Sequence, residues 1–233
     1  MANYHVIIPA AGKGSRMRQD TPKQFFNLEG KTILQWVEFI FSNIMSIKSI
    51  SIAIQPEIKF LDTLGSQFSN KTKIYKTGGD TRAQTVLNTI NKIKNIVSDD
   101  DWILVHDAAR VGITELSLNN FIDDISSHKV GGIMAIPVAD TVKKVNDNME
   151  IITTENREKL WLAQTPQMFR YKILKKALEQ FDGTPTDEAE AIESLGLKPK
   201  IFKGNVLNTK ITYEEDLVNA NKAVELMKKS YLS

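Results

Sequence analysis

The 233-residue chain contains no cysteine, which rules out disulfides, thiolate nucleophiles and cysteine-ligated zinc. Histidine is nearly as scarce: His5, His106 and His128 lie far apart, and no pair has metal-ligand spacing. No apolar run is long enough to span a bilayer, and the N-terminus lacks a signal-peptide pattern. An excess of one charge is missing too. Thirty basic residues against 28 acidic ones leave a formal +2, too little for a dedicated nucleic-acid surface. There is no internal repeat or low-complexity tract. The expectation is a soluble, cytoplasmic protein with neither nucleic acid nor membrane as partner. Hydrophobic residues make up 42% of the chain, enough for one sizeable core, so residues 1–233 read as a single domain.

Strand-like and helix-like patterns alternate through the first 138 residues. Short apolar or alternating runs at 4–9, 47–54, 71–75, 102–106 and 131–138 predict strands. Between them, apolar residues at helical spacing predict helices at 33–44, 58–68, 83–93 and 115–126. This alternation implies βαβ units around a mostly parallel sheet, an α/β fold. Residues 139–160 break the pattern. They are charged, alternate weakly and centre on the turn-like Asn146-Asp147-Asn148, so they read as a projecting β-arm. The core resumes with QTPQMF, helices at 170–181 and 186–195, a strand at KIFKG, and a last helix over about 213–229.

In an open α/β sheet, ligands bind beyond the carboxyl ends of the strands. The unusual residues fall in those loops: AAGKGSRM and PKQ after the first strand, GGDTR after the third, HDAAR after the fourth and PVADT after the fifth. Neither standard phosphate cradle is present. Met17 stands where a dinucleotide fingerprint needs its third glycine, and Phe25 stands where a P-loop ending in Gly30-Lys31-Thr32 would open. Ala10, Ala11, Gly12 and Gly14 still let backbone N–H groups approach phosphates closely. Gly78-Gly79 offers a second close approach, suited to a base or ribose. Arg16 and Lys23 bring full charges for a triphosphate. Asp107, ending an apolar strand, suits a metal or a hydroxyl. Arg110, Arg157 and Lys210 form a scattered second basic set suited to another anion.

Plainer readings stand beside these. A lone Gly-rich loop is more often just a turn, and loop lysines are usually solvated. Asp99-Asp100-Asp101 reads as a solvated turn, and His106 as a satisfied core histidine. Thr186 and Asp187 read equally as a helix cap or as part of a site. Trp36, Trp102 and Trp161 read as packing.

The motifs PAAGKGSRM…PKQ, GGDTRAQTV, VHDAAR, PVADTVK, TPQMF, TDEA and NTKIT…EDL occur in one order over about residues 4–226. In that order they resemble the 2-C-methyl-D-erythritol 4-phosphate cytidylyltransferases. The resemblance implies a Rossmann-like nucleotidyltransferase core, flanked by helices, with a β-arm reaching into the partner of a homodimer. It implies transfer of CMP from CTP to methylerythritol phosphate, with Mg²⁺ or another divalent cation. Carried over by position, Arg16 and Lys23 are transition-state stabilisers. Arg157, from the other subunit, and Lys210 complete the catalytic set by positioning the methylerythritol phosphate. Ala10, Ala11, Gly12, Gly14, Gly79, Asp80, Thr85 and Asp107 match CTP-binding positions. Asp107, Arg110, Thr141, Thr165 and Thr186 join Arg157 and Lys210 around the second substrate. Asp107 is the candidate metal contact, with the cation held mainly by the CTP phosphates.

Two departures stand out. Val111 replaces a proline, which is expected to loosen the loop after Arg110, and Thr85 replaces a common serine while keeping the hydroxyl. The alternatives are a ribitol-5-phosphate cytidylyltransferase, a non-catalytic nucleotide-binding module and an NAD-dependent oxidoreductase. VHDAAR argues against the first, the retained Arg16 and Lys23 against the second, and Met17 against the third.

Overall fold

The computed structural model describes residues 2–12, 22–57 and 67–232. The helix expected at 58–68 falls largely outside them. β1 (Tyr4–Pro9) is an interior strand of a seven-stranded sheet. After a 3-10 turn (Lys23–Phe25), the two-residue strands β2 (Asn27–Leu28) and β3 (Lys31–Thr32) pair and lead into α1 (Ile33–Ser42). Thr32 and Gln35 form a reciprocal capping box there, which satisfies two donors that a helix start leaves open. β4 (Ile47–Ala53), β5 (Thr72–Tyr75), α2 (Arg82–Lys92), β6 (Trp102–Val105), α3 (Glu115–Ser126) and β7 (Gly131–Pro137) follow the predicted alternation. The arm is a hairpin of β8 (Val142–Val145) and β9 (Ile151–Glu155). Its turn is closed by the Asn146 side chain, which accepts from the backbone N–H groups of Asn148 and Glu150.

After the arm the chain returns through β10 (Trp161–Arg170), α4 (Tyr171–Gln180), α5 (Glu188–Ser194), β11 (Lys200–Lys203) and α6 (Asp216–Leu232). The strand order is β11-β7-β10-β6-β1-β4-β5. Every neighbouring pair is parallel except those that β10 makes with β6 and β7. A long strand of opposite sense therefore sits inside the sheet.

Alternate residues of each central strand face opposite sides. Val6, Ile8, Leu104, Met134 and Met168 pack against α1, α3 and α6, through Leu34, Val37, Ile40, Phe121 and Val224. Ile7, Ile103, Val105, Ile133 and Phe169 pack against α2, α4 and α5, through Val86, Ile90, Leu174 and Ile192. Most are fully buried, each contributing about 1.5–3 kcal/mol relative to exposure. With both faces covered, the carboxyl edge of the sheet is the natural place for a ligand. No helix among the described residues is long and apolar enough to cross a membrane.

One sequence expectation fails here. Asp101 is not a solvated turn residue but is 3% exposed. It accepts from the N–H groups of Asn3 and Ser98 and pairs with buried His5 at 3.3 Å. A charge run hides this, because only one of three adjacent aspartates turns inward.

Candidate active site

A cavity of about 690 Å³ opens at the carboxyl ends of β1, β5 and β6. Ala10, Ala11 and Gly12 bound it on one side, Gly79, Asp80 and Thr85 on another, and Asp107 on a third. Lys23 and Lys210 complete the wall. The fourth expected loop, PVADT after β7, does not reach the cavity. β10 separates β7 from β6, so that loop runs out into the arm. The segment after β11 takes its place, bringing Lys210 and Thr212.

Tight contacts among the loops shape this wall. A Cβ at Gly78 would lie 2.8 Å from Gln55 Oε1 and from the Ile54 carbonyl, and 2.9 Å from Ala11. The close approach at this glycine is therefore to the protein itself, not to a bound base. Thr85 holds the neighbouring turn: its hydroxyl accepts from the Gly79 N–H and donates to the Thr81 carbonyl, both at 3.0 Å. Gln24 of PKQ donates to the carbonyls of Ala10 and Gly12 at 2.8 and 3.0 Å, fixing the loop after β1. The Lys23 ammonium donates to the Ile211 carbonyl at 2.5 Å, joining that loop to the Lys210 segment.

The electrostatic centre is Asp107. Its Oδ1 accepts from Arg82 Nε at 2.9 Å, while Oδ2 faces Arg110 Nε at 3.3 Å and Lys210 Nζ at 3.0 Å. Arg82 turns its other two nitrogens onto Glu188 Oε1 and Oε2 at 2.6 and 3.0 Å, a bidentate fork. Burial alone would raise the Asp107 carboxyl, but Arg82, Lys210 and Arg110 outweigh it and hold the group well below the usual range. Burial opposes the charge on Arg82, yet Glu188 and Asp107 reverse that and hold it more firmly protonated than usual. Within this cluster three cations, Arg82, Arg110 and Lys210, thus face two carboxylates, and of these cations Arg82 and Lys210 line the cavity.

Both oxygens of Asp107 meet cations in this structure, so a divalent ion would reach this carboxylate only by displacing one of them. Among the described residues, no group of three His, Cys, Asp or Glu side chains could hold a metal.

The remaining predicted residues divide cleanly. Arg110 stands behind Asp107, its Nη1 donating to the Asn208 carbonyl at 2.7 Å. Thr165 is buried: its hydroxyl accepts from the Asp107 N–H and bonds His106 Nδ1, both at 3.0 Å. His106 is, as expected, a satisfied core histidine, its Nε2 bonding the Arg110 carbonyl at 2.9 Å. Val111 is 2% exposed, and hydrogen bonds from Arg110 N to Asp107 O and from Ile211 N to Ala109 O pin its loop without a proline. Thr186 lies away from the cavity, exposed, with its N–H and hydroxyl both on the Glu190 carboxylate. The helix cap is Asp187, which accepts from Glu190 N at 2.9 Å. Thr141 and Arg157 are exposed on the arm, and Arg157 donates to the Ala139 carbonyl. Neither lines the cavity of its own chain. Gly14 and Arg16 lie outside the described residues.

Three site residues escaped the sequence reading: Gln24, Arg82 and Glu188. Arg82 was visible inside GGDTR and Glu188 inside TDEA, but each resembles an ordinary residue in a helix's first turn. Nothing local signals that the two meet across 106 positions.

The sequence model of the family described as 2-C-methyl-D-erythritol 4-phosphate cytidylyltransferase matches residues 4–226. A Nitrosomonas eutropha protein of that name is 43% identical over 220 residues, 93% of this chain and 94% of the relative. Its namesake in Nitrosospira multiformis is 42% identical, over 94% and 97% of the two chains. A solved structure titled 4-diphosphocytidyl-2C-methyl-D-erythritol synthase superposes with a TM-score of 0.85 at 34% identity, covering 96% of this chain and 99% of that one. The 2-C-methyl-D-erythritol 4-phosphate cytidylyltransferase of Francisella tularensis gives 0.78 at 35% identity, covering 95% and 100%. With the family model spanning residues 4–226 and these relatives matching over nearly their whole length, the chain belongs to the 2-C-methyl-D-erythritol 4-phosphate cytidylyltransferase family.

Proposed function

We propose that the protein transfers CMP from CTP to 2-C-methyl-D-erythritol 4-phosphate, giving 4-diphosphocytidyl-2-C-methyl-D-erythritol and pyrophosphate. The observation that carries this reading is the cavity itself: small-residue backbone on one wall, and Lys23, Arg82 and Lys210 on the others.

The chemistry follows from those groups. The attacking phosphate oxygen is already ionised at neutral pH, so no general base is needed. Alignment of two polyanions and neutralisation of charge growing on the α-phosphate are what the protein must supply. Ala10, Ala11, Gly12, Gly79, Asp80 and Thr85 cradle the cytidine end. Lys23, with Arg16, stabilises the α-phosphate. Lys210, held by Asp107 with Arg110 bracing that carboxylate from behind, meets the incoming phosphate. A divalent cation such as Mg²⁺ enters with the triphosphate, since the protein's described donors do not fit one.

The protein acts as a homodimer in this reading, with Arg157 and Thr141 of each arm serving the partner's cavity. Exposed apolar residues on the arm and at its root support that: Ile151, Ile152 and Leu162 are 63, 60 and 55% exposed, and such a patch favours burial against another surface.

The deciding experiment is pyrophosphate release with CTP and Mg²⁺, run with methylerythritol 4-phosphate and with ribitol 5-phosphate. Release with the first alone is expected. Release with ribitol phosphate instead would move the activity to another alditol, and release with neither would overturn it.

A further inference from the structure

Glu188 has no role in the scheme above, and its own helix does not need it. The start of α5 is held by Asp187, which caps Glu190 N, and by Gln167, which accepts from Ala189 N at 2.9 Å and donates to Asp187 Oδ2 at 2.9 Å. Thr186 is tied to Glu190. The Glu188 side chain takes no part in these bonds. It is 1% exposed, and both its oxygens point at Arg82. A buried carboxylate is costly unless paired, and here its pairing is spent wholly on a residue of the cavity wall.

Arg82 has a planar fork with donors on two edges. One edge is fixed by Glu188; the remaining Nε then points at Asp107 Oδ1. With Oδ1 so held, Oδ2 faces Lys210 and Arg110. The chain of contacts runs from a buried helix start to Lys210, the cation that would meet the second phosphate. We infer that Glu188 is a positioning residue: through Arg82 it fixes the rotamer of Asp107, and so the place of Lys210 at the cavity. The inference deepens the proposed function and rests on it for the identity of the reaction.

Glu188 supplies two separable things, a negative charge and a geometry. Glu188→Gln keeps the shape but removes the charge, and it turns an N–H₂ group toward one Arg82 nitrogen. Arg82 then keeps only Asp107 as a counter-charge, so the cavity gains positive field while its cations lose their alignment. Inorganic pyrophosphate is expected to bind this variant about 3-fold tighter, while kcat falls about 10–100-fold because alignment counts most in the transition state. Glu188→Asp keeps the charge but shortens the reach. It should leave pyrophosphate affinity near wild type and still lower kcat. In a double-mutant cycle with Arg82→Lys, the two losses should not add, because both act on one contact.

The experiment is calorimetric titration of the wild type and the variants with inorganic pyrophosphate, beside steady-state turnover of CTP. A purely structural role would lower the number of binding sites per chain and leave affinity and KM unchanged in the sites that remain. That outcome overturns the inference, as does wild-type kcat in Glu188→Gln or strict additivity with Arg82→Lys. If Glu188→Gln does not fold, Glu188→Asp and Arg82→Lys carry the cycle. If the wild type releases no pyrophosphate from CTP, the proposed reaction fails. The titration still decides the role of Glu188: tighter pyrophosphate in Glu188→Gln at full stoichiometry supports it, and unchanged affinity in that variant refutes it.

Discussion

Replacing His106 tests whether one buried ring ties stability at mildly acid pH to the loop that carries Asp107 and Arg110. The ring sits beside Phe41, centroids 4.9 Å apart, with no solvent exposure. Its neighbours fix its protonation. Thr165 accepts the Asp107 N–H, so its own hydroxyl proton goes to His106 Nδ1, and Nε2–H donates to the Arg110 carbonyl. A second proton on Nδ1 would face a hydroxyl that then has no acceptor for its own. Burial, outweighing the favourable carbonyl and Asp107, pushes the pKa down from 6.5 to about 4. The folded state therefore binds fewer protons than the unfolded one. The stability from this group is fully present above pH 6.5 and is lost as pH falls from there through the folded pKa. Between pH 7 and pH 5, where only the unfolded ring becomes charged, the loss is about 2 kcal/mol. His106→Gln removes the titration but keeps a donor for the Arg110 carbonyl. Urea unfolding of both proteins at pH 7 and pH 5 gives the comparison. The wild type should lose about 2 kcal/mol more than the variant over that range, whatever the variant's stability at pH 7. His5, also depressed by burial, contributes to both proteins and cancels in the difference. Parallel pH dependences would refute the assigned protonation state.

Lys210→Ala should lower kcat/KM about 10²–10³-fold, the usual loss for one preorganised charge, measured as pyrophosphate release. Mixing and refolding Lys210→Ala with Arg157→Ala should restore turnover if each arm serves its partner, because a mixed dimer keeps one intact site; no recovery would place Arg157 elsewhere. Gly112→Ala puts a Cβ 1.9 Å from the Leu207 carbonyl oxygen and should cost at least about 1–3 kcal/mol of unfolding free energy, with weaker pyrophosphate binding as the Lys210 segment shifts. Asp101→Ala should cost about 3 kcal/mol or more through four lost hydrogen bonds to a charged acceptor while leaving kcat/KM unchanged, since it lies at the opposite end of the sheet.

The α/β pattern was legible because each buried strand and amphipathic helix carries its own periodicity. The strand at Trp161–Arg170 was not, since QTPQMF has little alternation, and its place between β6 and β7 depends on partners distant in sequence. In the site, Ala10, Ala11, Gly12, Lys23, Asp107 and Lys210 were legible from loop position and residue type, and Asp80 only through the family resemblance. Glu188 was not, because an acid in a helix's first turn has a sufficient local explanation. Thr186 was misplaced for the same reason in reverse: a good cap residue lies next to the true cap, Asp187. Gly78 shows that a glycine pair signals close approach without saying to what.

The arm joins β7 to β10, and β10 fills the gap between β6 and β7. During synthesis, β6 and β7 therefore both leave the ribosome with an open edge, and these edges stay open until residue 170 has followed. The nascent chain carries the open edge of β6 and the unpaired apolar strand β7 through that interval, the kind of template on which chains pair wrongly with one another. Shortening the arm speeds closure of the sheet by removing loop entropy, whereas stopping the chain before Trp161 leaves both edges open for good.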